Sequence, residues 1–257
     1  MLDRSPLSGR IPANLRIDHG PVGLLGRFFL MADTTARERG VTLSFASLQE
    51  LVDVNRANPD SWMPLLPLFD PGLGGITAET GFALLGRDKD GQVVATQAAR
   101  FYDWANTTLA EEARSLRMFY ADTKAAAARG DRCEIATPAG AAISGRVVFS
   151  GAGWYRRDYR GKGLARILPR ISRAYALARW NSELTISFMS DAVLAGGMAA
   201  RTGYTRIEPS GVDFAVSPVE AMRCNLVWMP CQEMLADLET VMASGTIWAA
   251  ESRAVGT

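Results

Sequence analysis

Residues 143 to 189 constrain the fold more than any other part of this 257-residue chain. Ile143 to Tyr155 is rich in β-formers, a stretch from about Gly163 to Arg179 repeats apolar residues at helical spacing, and Leu184 to Met189 is strand-like again. A strand, a crossover helix and a second strand predict a parallel pair. Hairpin-like strands on either side place that pair in an otherwise largely antiparallel sheet, an α+β arrangement.

The remaining segments supply the other layers. Residues 1 to about 20 read as irregular, Gly23 to Arg39 as a helix and Val41 to Ala46 as a strand. Ser47 with Glu50 three residues on is a capping-box signal for a helix to about Ala57. A Pro-rich connector, Trp62 to Pro71, leads into a hairpin of Phe82 to Gly86 and Gln92 to Tyr102, turning at Asp88-Lys-Asp-Gly91. Thr107 to Arg129 is helical in composition and reads as an insertion, and Cys133 to Ala136 as a strand. After residue 189 come a helix capped by Asp191 and ending near Gly203, strands from Tyr204 and over Cys224 to Met229, and a closing helix from near Pro230 to about Ser244. The expected organisation is an N-terminal extension with one helix (1–40), a main domain (41–230) with a helical insertion near 105–132, and a C-terminal helix and tail (231–257).

Composition excludes several function classes. With 28 Lys+Arg against 27 Asp+Glu the net charge is +1, so no global field draws the chain to nucleic acid or to an anionic membrane. Cys133, Cys224 and Cys231 are odd in number and irregularly spaced, which gives no disulfide framework. His19 is the only histidine, which sets aside a histidine triad and a mixed Cys/His zinc site, so no metal is expected. The start carries an acid and no apolar run, and Val22 to Ala32 is interrupted by Arg27 and far short of a membrane span. The expected location is cytoplasmic.

Chemistry concentrates in Tyr155 to Leu168, where a strand hands over to an amphipathic helix. Between residues 155 and 173 lie seven basic residues, Arg156, Arg157, Arg160, Lys162, Arg166, Arg170 and Arg173, against Asp158 alone. A helix start leaves about four backbone N–H groups unpaired and carries roughly half a positive charge, and glycines at 161 and 163 allow an anion to approach it closely. The competing reading is a solvated arginine face. Leu164, Ile167, Leu168, Ile171, Tyr175 and Ala178 keep the spacing for burial, with Arg166, Arg170 and Arg173 expected to point elsewhere. Gly151 and Gly153 within a strand suggest a bulge, and Pro169 should kink the helix. Neither a P-loop nor a G-x-G-x-x-G pattern is present.

Arg160-Gly-Lys-Gly-Leu-Ala165 resembles the [Q/R]-x-x-G-x-[G/A] motif of the GNAT superfamily of acyl-CoA-dependent N-acyltransferases. Tyr155 to Tyr159 lies where that family ends its central strand, and Ala195 to Tyr204, closing on Arg-Thr-Gly-Tyr, is similar to its later helix and Gly-aromatic pair. The resemblance spans roughly residues 41 to 230. It implies a mixed, mostly antiparallel sheet with one parallel splayed strand pair and helices on both faces. It also implies transfer of an acyl group from acetyl-CoA, or another acyl-CoA, to a primary amine of a small-molecule or peptide acceptor by direct attack in a ternary complex. The diphosphate would sit on the amides of Gly161, Lys162, Gly163, Leu164, Ala165 and Arg166, framed by Arg160 and Lys162. The pantetheine arm would lie along Gly153 to Tyr155, opposite Leu184 to Met189.

The implied catalytic parts are less complete. The Tyr155 amide would hold the oxyanion. The tyrosine that often serves as thiolate acid would fall on Ala199, leaving Tyr155, Tyr159 and Tyr204 as candidates, with Tyr204 in the Gly-aromatic pair. Residues 143 to 155 contain no carboxylate, and Glu134, Glu208 and Asp103 are bases by position only. The acceptor would lie between the N-terminal helices and the splayed strands. Two other readings stay open: a catalytically silent acyl-CoA sensor or scaffold, and a polyanion binder using the basic helix. Apolar residues in Trp228 to Met234 or Val241 to Trp248 could pair two chains as a homodimer.

Overall fold

The computed structural model describes residues 9–244. In chain order, α1 (Ile11–Asn14) and α2 (Val22–Glu38) precede β1 (Thr42–Ala46) and α3 (Leu48–Arg56). The connector then makes a 3-10 turn (Pro67–Phe69) and α4 (Pro71–Gly74) before β2 (Gly81–Arg87) and β3 (Val93–Trp104). There follow α5 (Leu109–Arg114), α6 (Thr123–Ala128), β4 (Arg132–Ile135), α7 (Pro138–Ala142) and β5 (Gly145–Tyr155). The last third holds α8 (Leu164–Trp180), β6 (Leu184–Met189), α9 (Asp191–Ala195), α10 (Met198–Thr202), β7 (Arg206–Ala215), β8 (Met222–Pro230) and α11 (Cys231–Ser244).

The strands form one eight-stranded sheet in the order β1-β2-β3-β5-β6-β8-β7-β4. Only β5 and β6 pair in parallel; every other neighbour is antiparallel. This is the mixed sheet that the segment from 143 to 189 predicts. β2 shows how its middle is covered. Phe82 and Leu84 enter the core beneath α2 and α8, while Ala83 and Leu85 enter the core on the opposite side. Two buried faces require an unbroken apolar run, and Phe82-Ala-Leu-Leu85 supplies one.

On one face α8 packs across β3 and β5, with α2 and α11 beside it. The opposite face is covered by α3 over β2, the connector, and α5 over β4. Ser47 caps α3 by accepting the Glu50 amide at 3.0 Å, while the Glu50 carboxylate reaches Arg87 on β2 instead of closing the box.

Several expectations need correction. The helical stretch 107–129 is two short helices, separated where Leu116 takes a left-handed backbone (φ 63°). The strand that follows does not lie between its sequence neighbours: β4 pairs with β7 at the far edge, leaving β3 and β5 adjacent. The helix after residue 189 is likewise two, broken at Gly196 and Gly197. Its cap is Ser190, whose hydroxyl accepts the Val193 amide, while Asp191 instead accepts from Asn225 at 2.8 Å.

The arginines of α8 also differ from expectation. Arg170 and Arg173 are 4% and 0% exposed, so this side of the helix is internal rather than solvated. Arg170 donates Nε and Nη2 to the two Asp237 oxygens of α11 (2.7 and 2.9 Å) and Nη1 to the carbonyls of Arg166 and Arg201. That guanidinium ties three helices together. The helix continues through Pro169, which lacks the amide that would bond the Ala165 carbonyl. Met229, Met234 and Val241, within the stretches expected to pair two chains, are buried in this core. Residues 245–248 of the second stretch, like 1–8 and the rest of the C-terminal tail, lie outside the described residues. Among the described residues no helix is long and apolar enough to cross a membrane.

Candidate functional site

β5 and β6 pair only over Val147–Phe149 and Leu184–Ile186. Beyond that point each strand continues on its outer neighbour: β5 remains on β3 as far as Tyr155, and β6 remains on β8 as far as Met189. The inner edges from Ser150 and Ser187 onward therefore face a gap in the sheet. At its mouth the register of β5 on β3 slips, setting Gln97 opposite Ala152 and Gly153, which is a β-bulge. The bulge occurs where the paired glycines suggest one, but its left-handed residue is Ala152 (φ 53°). Thr96 Oγ1 holds it by donating to the Ala152 carbonyl at 2.7 Å. Past the bulge the Arg156 amide donates to Val94 on β3 at 2.8 Å, and strand alternation turns the preceding amide, that of Tyr155, toward the gap.

The chain then makes a 3-10 turn, Arg157–Tyr159, and enters α8 through Arg160 to Gly163. Gly163 is the N-cap with φ 71°, a conformation costly for any residue with a Cβ, and a Cβ there would sit 2.6 Å from Arg39 Nη1. Arg39, which closes α2, thus lies against the helix start. Among the described residues no backbone carbonyl takes the amide hydrogens of residues 161 to 165, whereas the Arg166 amide, expected with them, donates to the Gly163 carbonyl at 3.0 Å and is not available. The Arg160 side chain donates to the Tyr155 carbonyl at 3.0 Å, and Lys162 Nζ stands 3.7 Å from the Tyr159 ring centre. Leu164 is buried beneath the helix start, whereas Ala165 and Arg166 are half-buried. Free amides, a left-handed glycine and two cations form a fitting cradle for a diphosphate.

A cavity of about 330 Å³ passes through the gap. Its lining includes Gly153 and Tyr155 of β5, Ser187 and Met189 of β6, Pro169 of α8 and Tyr204. The connector contributes Trp62 to Leu66 and Phe69 from the other face of the sheet. Helix α2, expected beside the acceptor, packs against α8 instead and does not line it.

Tyr204 reaches this cavity because Gly203 precedes it. Gly203 ends α10 with φ 84°, and a Cβ there would lie 2.6 Å from both Arg170 Nη2 and Asp237 Oδ2, so the chain passes directly over that ion pair. The Tyr204 hydroxyl is buried without a direct hydrogen-bond partner among the described residues. Burial pushes its pKa up, while Arg173, Ser187 and Ser150 pull it the other way. Arg173 lies behind it, its guanidinium 4.8 Å from the Tyr204 ring centre. Among the described residues only its Nη2 has a hydrogen-bond acceptor, the Thr202 carbonyl, and burial lowers the pKa of Arg173. The Tyr155 phenol is pushed up by burial alone. Gln97 Nε2 donates to Ser150 Oγ at 3.1 Å, and Ser150 is 3.2 Å from Ser172 Oγ, which extends the polar floor into α8.

Gly153, Tyr155, the residues from Arg160 to Arg166, and Tyr204 thus fall along one continuous path from cradle to cavity. The carboxylates do not. Glu134 is ion-paired with Arg114 at the far sheet edge, Asp103 pairs in register with Arg146 near the opposite end of β3, and neither they nor Glu208 line the cavity. Tyr159 lies under Lys162 outside the cavity, and Ala199 is buried. Arg39, Gln97, Ser150 and Arg173 were not foreseen as parts of the site. For Gln97 and Ser150 a polar residue inside an apolar strand was the available signal; Arg39 gives none. Among the described residues no cluster of three metal-ligating side chains is present.

No protein-family model and no curated protein matches the chain. Solved structures do. An AAC(6')-Ib structure in complex with paromomycin and acetyl-CoA is 13% identical, covering 76% of this chain and 95% of that one at a TM-score of 0.42. The spermidine/spermine N-acetyltransferase SpeG from Vibrio cholerae is 10% identical, covering 77% and 98% at 0.43. RimJ from Mycobacterium smegmatis, in complex with CoA-disulfide, is 10% identical, covering 79% and 90% at 0.45. At these values the chemistry of this chain is read from its own geometry. That geometry, with its single parallel pair splayed beyond Phe149 and a glycine-started helix after it, is the arrangement that the resemblance to the GNAT superfamily implies.

Proposed function

We propose that the protein is an acyl-CoA-dependent N-acyltransferase that moves an acetyl group from acetyl-CoA to a primary amine. One observation carries the reading: an unpaired strand edge runs directly into a helix start whose amides lack backbone acceptors and lie beside Arg39 and Lys162. When bound, the acyl-CoA supplies an activated thioester carbonyl. The amides of residues 161 to 165, with Arg39 and Lys162, hold the diphosphate, and the inner edge of β5 from Gly153 to Tyr155 aligns the arm. The Tyr155 amide, turned into the gap, stabilises the carbonyl oxygen as charge develops there. Tyr204 stays protonated at neutral pH because it is buried, and gives its proton to the departing sulfur, with Arg173 behind it to stabilise the phenolate.

Direct transfer is favoured over a covalent acyl-enzyme. Cys224 lines the cavity, but burial pushes its thiol up to about 11, and Cys133 to about 12. Less than about 0.1% of such a thiol is thiolate at neutral pH, and the thiolate is the nucleophile. Against a polyanion surface, Arg170 and Arg173 are internal and Arg156 is held by Asp88 and Asp158, so three of the cluster's charges have protein surroundings.

Acetyl-CoA at a hundred times its Kd adds about 2.7 kcal/mol, raising Tm by about 5–10 °C in a domain of this size. Gly163→Ala should weaken acetyl-CoA binding at least about tenfold in a direct titration; unchanged affinity contradicts the cradle. Amine-dependent thioester cleavage separates the enzyme from a silent acyl-CoA binder. Tyr204→Phe should lower kcat by about 100-fold or more with KM for acetyl-CoA nearly unchanged, the size of a lost general acid. Mixing the protein with acetyl-CoA in the absence of amine should leave Cys133 and Cys224 unmodified by intact mass and peptide mapping, and an acetyl adduct on either would refute direct transfer.

A further inference from the structure

The cavity through the sheet is lined mostly by apolar side chains, with a polar group by the bulge. Gln97, Ser150, Ser187 and Tyr204 gather by the bulge, where the thioester would lie on the reading above. The rest of the lining includes Trp62, Leu65 and Phe69 from the connector and Phe188, Phe214 and Val219. Trp62 is stacked on Trp154 with ring centres 5.5 Å apart and planes at 12°, and the Trp154 indole is held by Ser61 Oγ at 3.2 Å. This makes a flat, fixed aromatic wall. Every lining residue among those described is uncharged.

Such a chamber discriminates by charge. An ammonium group moved from water into it loses hydration and meets no counter-charge among the lining side chains, while Asp191, within electrostatic reach of Cys224, already accepts from Asn225 at 2.8 Å. The neutral amine is favoured, and each further ammonium on the same molecule repeats the penalty. An apolar body gains by leaving water. At about 330 Å³ the cavity is at the small end of ligand pockets, and part of it belongs to the thioester.

We infer that the acceptor is a monoamine with an otherwise uncharged, apolar body of about one aromatic ring, received in the chamber between the connector and the β7–β8 pair as the free amine. This rests on the transferase reading and adds to it the class of acceptor. The same surroundings explain how the reaction proceeds with no carboxylate on the wall: desolvation lowers the pKa of the amine, which leaves its ammonium proton to water at the mouth and enters neutral. The proton its nitrogen sheds after attack restores the Tyr204 phenol that protonates the departing sulfur.

The full-length protein is assayed with acetyl-CoA by thiol release against 2-phenylethylamine, spermidine and kanamycin. The expected kcat/KM for 2-phenylethylamine exceeds that for either polycation by about 100-fold. Met63 stands at the rim, 51% exposed, so Met63→Glu places a carboxylate at the mouth without disturbing the core. That variant should narrow the gap at least tenfold. Equal or better turnover of a polycation overturns the acceptor class while leaving the transferase intact. A tenfold preference for octanoyl-CoA over acetyl-CoA, with methylamine as acceptor, also overturns it by assigning the apolar space to the acyl chain. Quenching of tryptophan fluorescence by 2-phenylethylamine without any acyl-CoA gives an independent reading. Binding at least tenfold tighter than spermidine supports the chamber's selectivity even if acetyl-CoA neither binds nor reacts, a result that would end the transferase reading alone. Equal or weaker binding overturns the inference.

Discussion

The structure depends on where the β5–β6 pairing stops. Three residue pairs of parallel ladder join the two halves of the sheet, and beyond Phe149 and Ile186 the strands separate. Leaving a ladder open is ordinarily costly because backbone groups lose partners. Here the cost is confined to the inner edges, since β5 keeps its bonds to β3 and β6 keeps its bonds to β8 along the splay. Asn225 of β8 also takes the Met189 carbonyl at the end of β6. The bulge at Ala152 bends β5 just where it must part from its neighbour. Its left-handed backbone on a residue with a Cβ stores strain of order 1–3 kcal/mol, as functional sites often do.

The interior of α8 fixes what stands at either end of that gap. Arg170 binds Asp237 and two helix carbonyls, so the start of α8, the end of α10 and the middle of α11 share one guanidinium. Gly203 passes over this pair and delivers Tyr204 to the cavity, while Arg173, one turn further along, backs the phenol. A buried ion pair is weak support for stability, but removing one partner is severe because the other charge is left unpaired. This arrangement therefore specifies position: Tyr204 is placed by a buried arginine and its partly buried carboxylate partner.

Much of this was legible in the residue order. The strand-like run Leu184 to Met189 has the boundaries of the strand itself, the Asp-Gly turn locates the β2–β3 hairpin, and the helix between two strands requires the parallel pair. Gly151 and Gly153 announced a bulge, because glycines in a strand mark departures from the ladder. What periodicity could not convey was long-range compensation. Arg170 and Arg173 look like surface residues until Asp237 and the α10 carbonyls are brought to them from more than twenty residues away. Ser190 and Asp191 are both good caps, and only Asn225, arriving from β8, decides between them. The far-edge position of β4 is equally a property of packing: four residues of alternating burial can pair with any open edge, and α5 holds them on β7.

On the proposed function, the inner edge of β5 and the start of α8 form one continuous surface for coenzyme A. Amide hydrogen exchange with and without coenzyme A tests it most directly. Amides at 153–155 and 161–165 should slow by at least about tenfold while those of β1 and β4 are unchanged. Unaltered exchange at both segments, or protection confined to other parts of the chain, would contradict it.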